Sequence, residues 1–218
     1  MNVPMPDNYM PKADSDRADA FLFERISDKA EHVFTRSSSA QLTTDNEITC
    51  LLDSRENFPA WLKALTQAQH TICIEMYIFA TDAFGQKVRE VLLERLHNGV
   101  QVFLIYDWLG SSGAHYKRFF KPLTAAGAHI PAYNKLGLTT GLSILGRNHR
   151  KSFTIDQKVA FVSGLCISSQ WDGNEKQGIS PWRDTGLLFQ GPIVQDVLQA
   201  FLDTGQCMGL AKPAVLLQ

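Results

Sequence analysis

Between residues 48 and 205, short apolar runs alternate with longer stretches whose apolar residues recur at three- and four-residue spacing. The runs read as strands and the spaced stretches as helices. Ile48 to Leu52 is a short strand, and Phe58, Trp61, Leu62 and Leu65 predict a helix over 58–68. Thr71 to Phe79 is a largely apolar strand. Thr81-Asp82 caps a helix over about 83–97, which Asn98-Gly99 ends. Val100 to Tyr106 is a second buried strand, followed by a Gly110-Ser111-Ser112-Gly113 loop, a helix over about 115–126 and a strand from Ala128 to Tyr133. After a polar loop over 168–181 come a strand from Trp182 to Phe189 and a helix opened by Gly191-Pro192. That last helix runs to about Asp203, with Ile193, Val194, Val197, Leu198 and Phe201 toward the sheet. The alternation predicts an α/β fold: a mixed, largely parallel sheet flanked by helices on both faces. In such sheets ligands sit beyond the carboxyl ends of the strands, where Asp107 and the Gly110 loop fall. The loop is either a simple turn or a phosphate approach. Glu75 lies inside a buried strand, where a lone carboxylate is costly. It either pairs with a cation near the site or reaches the sheet edge.

The pattern fades at both ends. Residues 1–47 form a polar extension in which 16–36 reads as one helix carrying Phe21, Phe23, Ile26 and Val33, with Ser37-Ser38-Ser39 as a linker. Residues 48–205 form the domain, and 206–218 a short tail. Residues 134–146 are a glycine-rich loop whose Leu136, Leu138 and Leu142 either pack locally or stand exposed. A hydrophobic content of 44% is enough for a real core. The net charge of −1 argues against a general nucleic-acid binder. The amino terminus carries no apolar run of the kind a signal peptide needs, and no segment can span a membrane. Cys50, Cys73, Cys166 and Cys207 lack metal-type spacing, and Cys50 and Cys73, inside apolar runs, read as buried thiols in a reducing, intracellular setting.

One stretch carries chemistry: Asn148-His149-Arg150-Lys151-Ser152-Phe153-Thr154-Ile155-Asp156, running into Gln157-Lys158 and Val159 to Gly164. Residues two apart in a strand share a face, so His149 and Lys151 project together. Imidazole is a competent nucleophile near neutral pH, and a neighbouring ammonium holds an anion against it. That pairing suits attack on a phosphorus whose oxygens are negatively charged. Asp156-Gln157-Lys158 separates two apolar runs as a hairpin turn, so Asp156 organises the turn or binds backbone amides. A carboxylate that orients the imidazole would come from Asp184, unless Asp184 merely pairs with Arg183.

Asn-His-Arg-Lys, the hairpin and Phe161-Val162-Ser163-Gly164 resemble the signature of the phospholipase D superfamily. Glu75-Met76-Tyr77-Ile78-Phe79, Tyr106 to Ser111, Pro181-Trp182-Arg183-Asp184-Thr185 and Gly191-Pro192 are similar to the first half of its bacterial cardiolipin synthase branch. The resemblance covers roughly residues 48–205. It implies catalytic roles for His149, Lys151, Asp156 and Asp184, and substrate contacts from Arg150, Ser163, Gly164 and Cys166. It implies a glycerophospholipid substrate, a phosphohistidine intermediate, and no metal or cofactor. Water as acceptor gives hydrolysis; an alcohol gives transphosphatidylation. The expected location is cytoplasmic, with peripheral contact at the inner face of the membrane.

Two departures stand out. Cys166 occupies a position where the family has a phosphate-holding Asn, and a thiol is a much poorer hydrogen-bond partner. The motif also occurs once. None of His32, His70, His97, His115 and His129 has a lysine two residues later ahead of an apolar strand; His115-Tyr116-Lys117 has the spacing but sits at a predicted helix start. A complete site therefore needs a homodimer or a second-half partner, and the stop near residue 218 fits a truncated or split product. Two alternatives follow. One is a homodimeric nuclease with a basic groove from Arg147, Arg150, Lys151, Lys117, Arg118 and Lys121. The other is a catalytically impaired half-domain.

Overall fold

In the computed structural model, residues 26, 29–37, 42–134, 146–174 and 177–216 are described. The chain divides into two units, Met1–Thr44 and Asp45–Gln218. In the first, residues 29–37 are helical, and Ile26 and Val33 are exposed. Phe21 and Phe23, the rest of the expected apolar face, lie outside the described residues, as do Leu136, Leu138 and Leu142.

Among the described residues the second unit is built on seven strands: β1 (Glu47–Leu52), β2 (Thr71–Met76), β3 (Gln101–Asp107), β4 (Ala132–Tyr133), β5 (Lys151–Ile155), β6 (Val159–Ser163) and β7 (Thr185–Gln190). Their order in one sheet is β1-β7-β6-β5-β2-β3-β4. Its helices are α1 (Asp53–Gln67), α2 (Ala83–His97), α3 (Ser112–Tyr116), α4 (Lys121–Ala125) and α5 (Ile193–Cys207). The mixed α/β class holds, and helices cover both faces. On one face Trp61 and Leu65 of α1 and Val88 and Leu92 of α2 join Ile72, Ile74, Leu104 and Phe153 in the main core. On the other, Leu198, Phe201 and Leu202 of α5 pack on Cys73, Phe103 and Ile105. Among the described residues no helix is long and apolar enough to cross a membrane.

The sheet is less parallel than the apolar runs suggest. Only β2–β3 and β3–β4 are parallel; β2–β5, β5–β6, β6–β7 and β7–β1 are antiparallel. The reason is connectivity. α2 carries the chain back over the sheet between β2 and β3, whereas a tight turn joins β5 to β6 and can only reverse direction. Three local expectations also change. The helix over 115–126 is two short helices, because Arg118 takes a left-handed conformation (φ 51°) that no helix passes through and Pro122 starts α4 afresh. The strand from Ala128 shrinks to Ala132–Tyr133 plus one bridge at His129, since Pro131 has no N–H to offer. Cys50 is exposed, because β1 is the edge strand of the sheet, whereas Cys73 in the central β2 is buried as expected. Past α5, residues 210–216 fold back onto the domain; Leu216 is buried beside Leu198 and Phe201, and Gln157 Nε2 donates to the Val215 carbonyl (3.3 Å).

Candidate active site

Antiparallel pairing of β5 with β2 sets Lys151 opposite Met76, so the start of β5 lies at the carboxyl end of β2. The next residue of that strand's path, Tyr77, is the floor of the site. Its ring lies 4.6 Å from the His149 ring, centroid to centroid, and 5.3 Å from Lys151 Nζ. The structure thus brings His149 and Lys151 together against one aromatic ring. Lys151 is 7% exposed, and its Nζ donates to the His149 carbonyl at 2.7 Å. Burial lowers the Lys151 pKa, and Cys166 and Asp184 oppose that shift by Coulomb attraction. Gly110 is what lets the neighbouring loop reach Tyr77: a Cβ there would lie 2.3 Å from the Tyr77 carbonyl oxygen. The loop itself is a turn organised by Asp107, whose Oδ1 accepts from Leu109 N (3.0 Å) and Gly110 N (2.9 Å).

Asp184 precedes β7 at the same end of the sheet. Its Oδ2 accepts from Trp171 Nε1 (3.2 Å) and its Oδ1 from Thr185 N (2.8 Å). Among the described residues, no hydrogen bond joins it to the His149 ring. It does not pair with Arg183 either, which lies 3.0 Å from Asp53. Gly164 is the seat of Asp184, because an added Cβ would come within 2.1 Å of Asp184 Oδ1. Ser163 is occupied locally, donating to the Leu165 carbonyl (3.2 Å). Cys166 is buried under the same cluster, and desolvation pushes its thiol up to about 11.

Two motif residues stand apart. Asp156 is at the far end of β5, roughly 20–25 Å of extended chain from His149. There its carboxylate accepts from three backbone amides: Gln69 N (2.8 Å), His70 N (2.7 Å) and Thr71 N (2.8 Å). It ties the β5–β6 turn to the start of β2, away from His149 and Lys151. Arg150 turns to the other sheet face, donating to Ala200 O (2.8 Å) and Thr204 Oγ1 (2.9 Å) of α5. It also stands 3.8 Å from Glu75, which answers the choice left open for that carboxylate in favour of a cation. His115, the other histidine with a lysine two residues on, sits in α3 with Nδ1 2.7 Å from the Tyr106 hydroxyl.

A cavity of about 300 Å³ opens beside His149, bordered by Arg147, Arg150, Tyr133 and Thr204. A larger one of about 860 Å³, between β3, α5 and residues 210–215, includes no motif residue. Sequence reasoning missed three contributors: Tyr77, Asn148 and Trp171. Tyr77 and Asn148 lie inside the quoted blocks, so an aromatic at a strand end and an Asn before the histidine were available signals. Trp171 was not, because its link to Asp184 crosses a loop that reads only as polar.

Comparison with known proteins bears on this arrangement. The family described as "Cardiolipin synthase, PLD-like domain" matches residues 61–174, just over half of the chain. Cardiolipin synthase A of Pseudomonas aeruginosa is 30% identical over 176 residues, covering 80% of this chain and 36% of that protein. Major cardiolipin synthase ClsA of Bacillus subtilis is 33% identical over 173 residues, covering 78% of this chain and 35% of that protein. The chain therefore spans about a third of the length of the curated relatives it matches. Among solved structures, Nuc of Salmonella typhimurium, a phospholipase D family member, superposes with a TM-score of 0.54 at 13% identity, over 74% of this chain and 95% of that one. NucT from Helicobacter pylori gives 0.55 at 14% identity, over 76% and 97%. At these identities the two solved structures speak for the fold alone.

Proposed function

Because the chain belongs to the family of cardiolipin synthase, phospholipase D-like domains, we propose that its motif end is one half of a phosphatidyltransferase site acting on glycerophospholipids. The observation that carries this reading is the convergence of His149 and Lys151 on Tyr77 at one sheet end, with Asp184 seated close behind on Gly164. In the proposed reaction a ring nitrogen of His149 attacks phosphorus, and the bond to the departing ester oxygen breaks. The leaving alcohol takes a proton from an acid on the second half-site. The acceptor oxygen then gives up its proton to that same group and attacks phosphorus, and the phosphorus–nitrogen bond breaks. Lys151 neutralises the phosphoryl oxygens, and Asp184 opposes the loss of the Lys151 charge that burial favours. Ser163, Gly164 and Cys166 line the floor beneath, with Cys166 a poor phosphate holder. Asp156 and Arg150 act on the scaffold rather than on substrate. The second half-site is a second copy of this chain.

The test uses purified chain with phosphatidylglycerol vesicles. Cardiolipin or phosphatidic acid, identified by mass spectrometry, is expected from wild type and not from His149→Ala, together with a phosphate-bearing His149 peptide after acid-free quenching. Lipid products equal in both proteins, or none in either, would overturn the lipid reading. A parallel arm with plasmid DNA at low salt separates the nuclease alternative, which predicts nicking that depends on His149.

A further inference from the structure

Glu75 is a buried titratable group that the reaction above does not use. It is fully buried in β2 and pairs across to Ser152, so it faces α5, on the sheet side opposite the one where Phe153 and Ile155 meet the main core. Its Oε1 accepts from Asn148 Nδ2 (2.7 Å) and from Thr204 Oγ1 (2.8 Å). Its Oε2 is buried and has no hydrogen-bond partner among the described residues. Asn148 is held a second time: its backbone N–H donates to Asp107 Oδ2 (3.1 Å), at the end of β3. The Oδ1 atom of Asn148 in turn accepts from Arg150 N (3.1 Å). The two residues that flank His149 are therefore fixed through Asn148, whose side chain is held by the buried Glu75 carboxyl and whose backbone N–H is held by the buried Asp107 carboxyl, near the ends of adjacent strands.

We propose that Glu75, acting through Asn148, is a positioning residue that fixes the His149 backbone and so the approach of its ring to Tyr77 and substrate. The chemistry of the position supports this role. One Oε1 atom accepts two hydrogen bonds in a space sealed from water, which no apolar side chain of that volume can do. Its loss would leave the Asn148 amide without its buried acceptor. Burial raises the Glu75 pKa, and Thr204, Asn148 and Arg150 only partly oppose it. Glutamine is then the conservative replacement, with its carbonyl oxygen at the Oε1 position. The proposal rests on His149 being the reacting residue, as argued above.

The test compares Glu75→Gln with Glu75→Leu in the full chain. The first readout is the His149 Cε1–Hε1 cross-peak in a 1H–13C spectrum, assigned by its loss in His149→Gln. The Tyr77 ring, 4.6 Å away, shifts that peak by its ring current. Glu75→Leu is expected to move the peak toward the free-imidazole position and to lower kcat on phosphatidylglycerol by about 10- to 100-fold with little change in KM. Glu75→Gln is expected to restore both. If Glu75→Leu does not fold, Asn148→Ala replaces it, with the same expectation. A wild-type His149 peak in either disrupting variant overturns the proposal, as does a Glu75→Gln that behaves like Glu75→Leu. If the peak follows the series while even wild type shows no lipid activity, the positioning role stands and the lipid reading falls.

Discussion

Cys166 shows how far a single side chain departs from the chemistry its neighbourhood suggests. It lies near Lys151 in a site that would hold a phosphate, yet it is 1% exposed and its thiol is pushed up to about 11. Cys73, pressed between β3 and α5, goes to about 12, with desolvation outweighing a hydrogen bond to Thr154. Only the thiolate is a nucleophile, and both shifts run against it. Cys50 and Cys207 are exposed and free. An aromatic disulfide reagent at pH 8 is therefore expected to titrate Cys50 and Cys207 rapidly in the native protein, and Cys73 and Cys166 only after unfolding in urea. Rapid modification of Cys166 in the native state, located by peptide mapping, would show that the thiol is open to the site. Lys151 obeys the same physics with the opposite sign. Burial lowers its pKa, and Cys166 and Asp184 oppose that shift.

The β5–β6 hairpin is the element on which this end of the sheet depends. Asp156 and Gln157 both take positive φ, 51° and 56°, so the turn is tight and carries two non-glycine residues in the left-handed region. Three amides donated to the Asp156 carboxylate offset that cost and fix where β5 begins its run back toward Lys151. Asp156→Ala removes all three acceptor contacts and is expected to destabilise the domain by about 3 kcal/mol, measured by urea denaturation. Asp156→Asn, which keeps one carbonyl oxygen, should lose less. A stability loss below about 0.5 kcal/mol in Asp156→Ala would mean that the turn holds itself.

How much of this was legible depended on whether the signal was local. The bounds of α2 follow from Asp82, whose side chain accepts from Gly85 N, and from Gly99 at φ 84°. The β5–β6 turn followed from Asp156-Gln157-Lys158. Strand direction did not, because an apolar run reports burial on both faces and nothing about which way its neighbour points. The same blindness made Cys50 read as buried: a run in an edge strand looks like a run in the centre. The seating of Asp184 on Gly164 joins β6 to β7 through a contact that only the folded sheet creates.

At the scale of the whole molecule, the constraint is arithmetic. A double displacement at phosphorus needs a nucleophile and an acid, and the chain supplies the His-x-Lys strand once. His115, the other histidine with the spacing, is committed to the Tyr106 hydroxyl inside α3. The relatives it matches are about three times as long as the matched stretch, so they have room for a second such half; this chain, in the proposed reading, obtains it from a second copy. A twofold axis would place His149 against its own mate, with either one able to attack and the other to donate the proton. Light scattering at micromolar concentration is then expected to give twice the mass of one chain. Mixing makes a sharper demand. If wild type and His149→Ala exchange freely at equal concentration, only pairs with two intact histidines react. Specific activity per total chain should fall to about one quarter of the wild-type value, against about one half if each chain works alone. A result near one half would require every needed proton donor to lie within one chain or in a different protein. Affinity recovery of an affinity-tagged His149→Ala chain from the same mixture, with untagged wild type scored in the eluate, would distinguish those two cases from a failure of the chains to exchange.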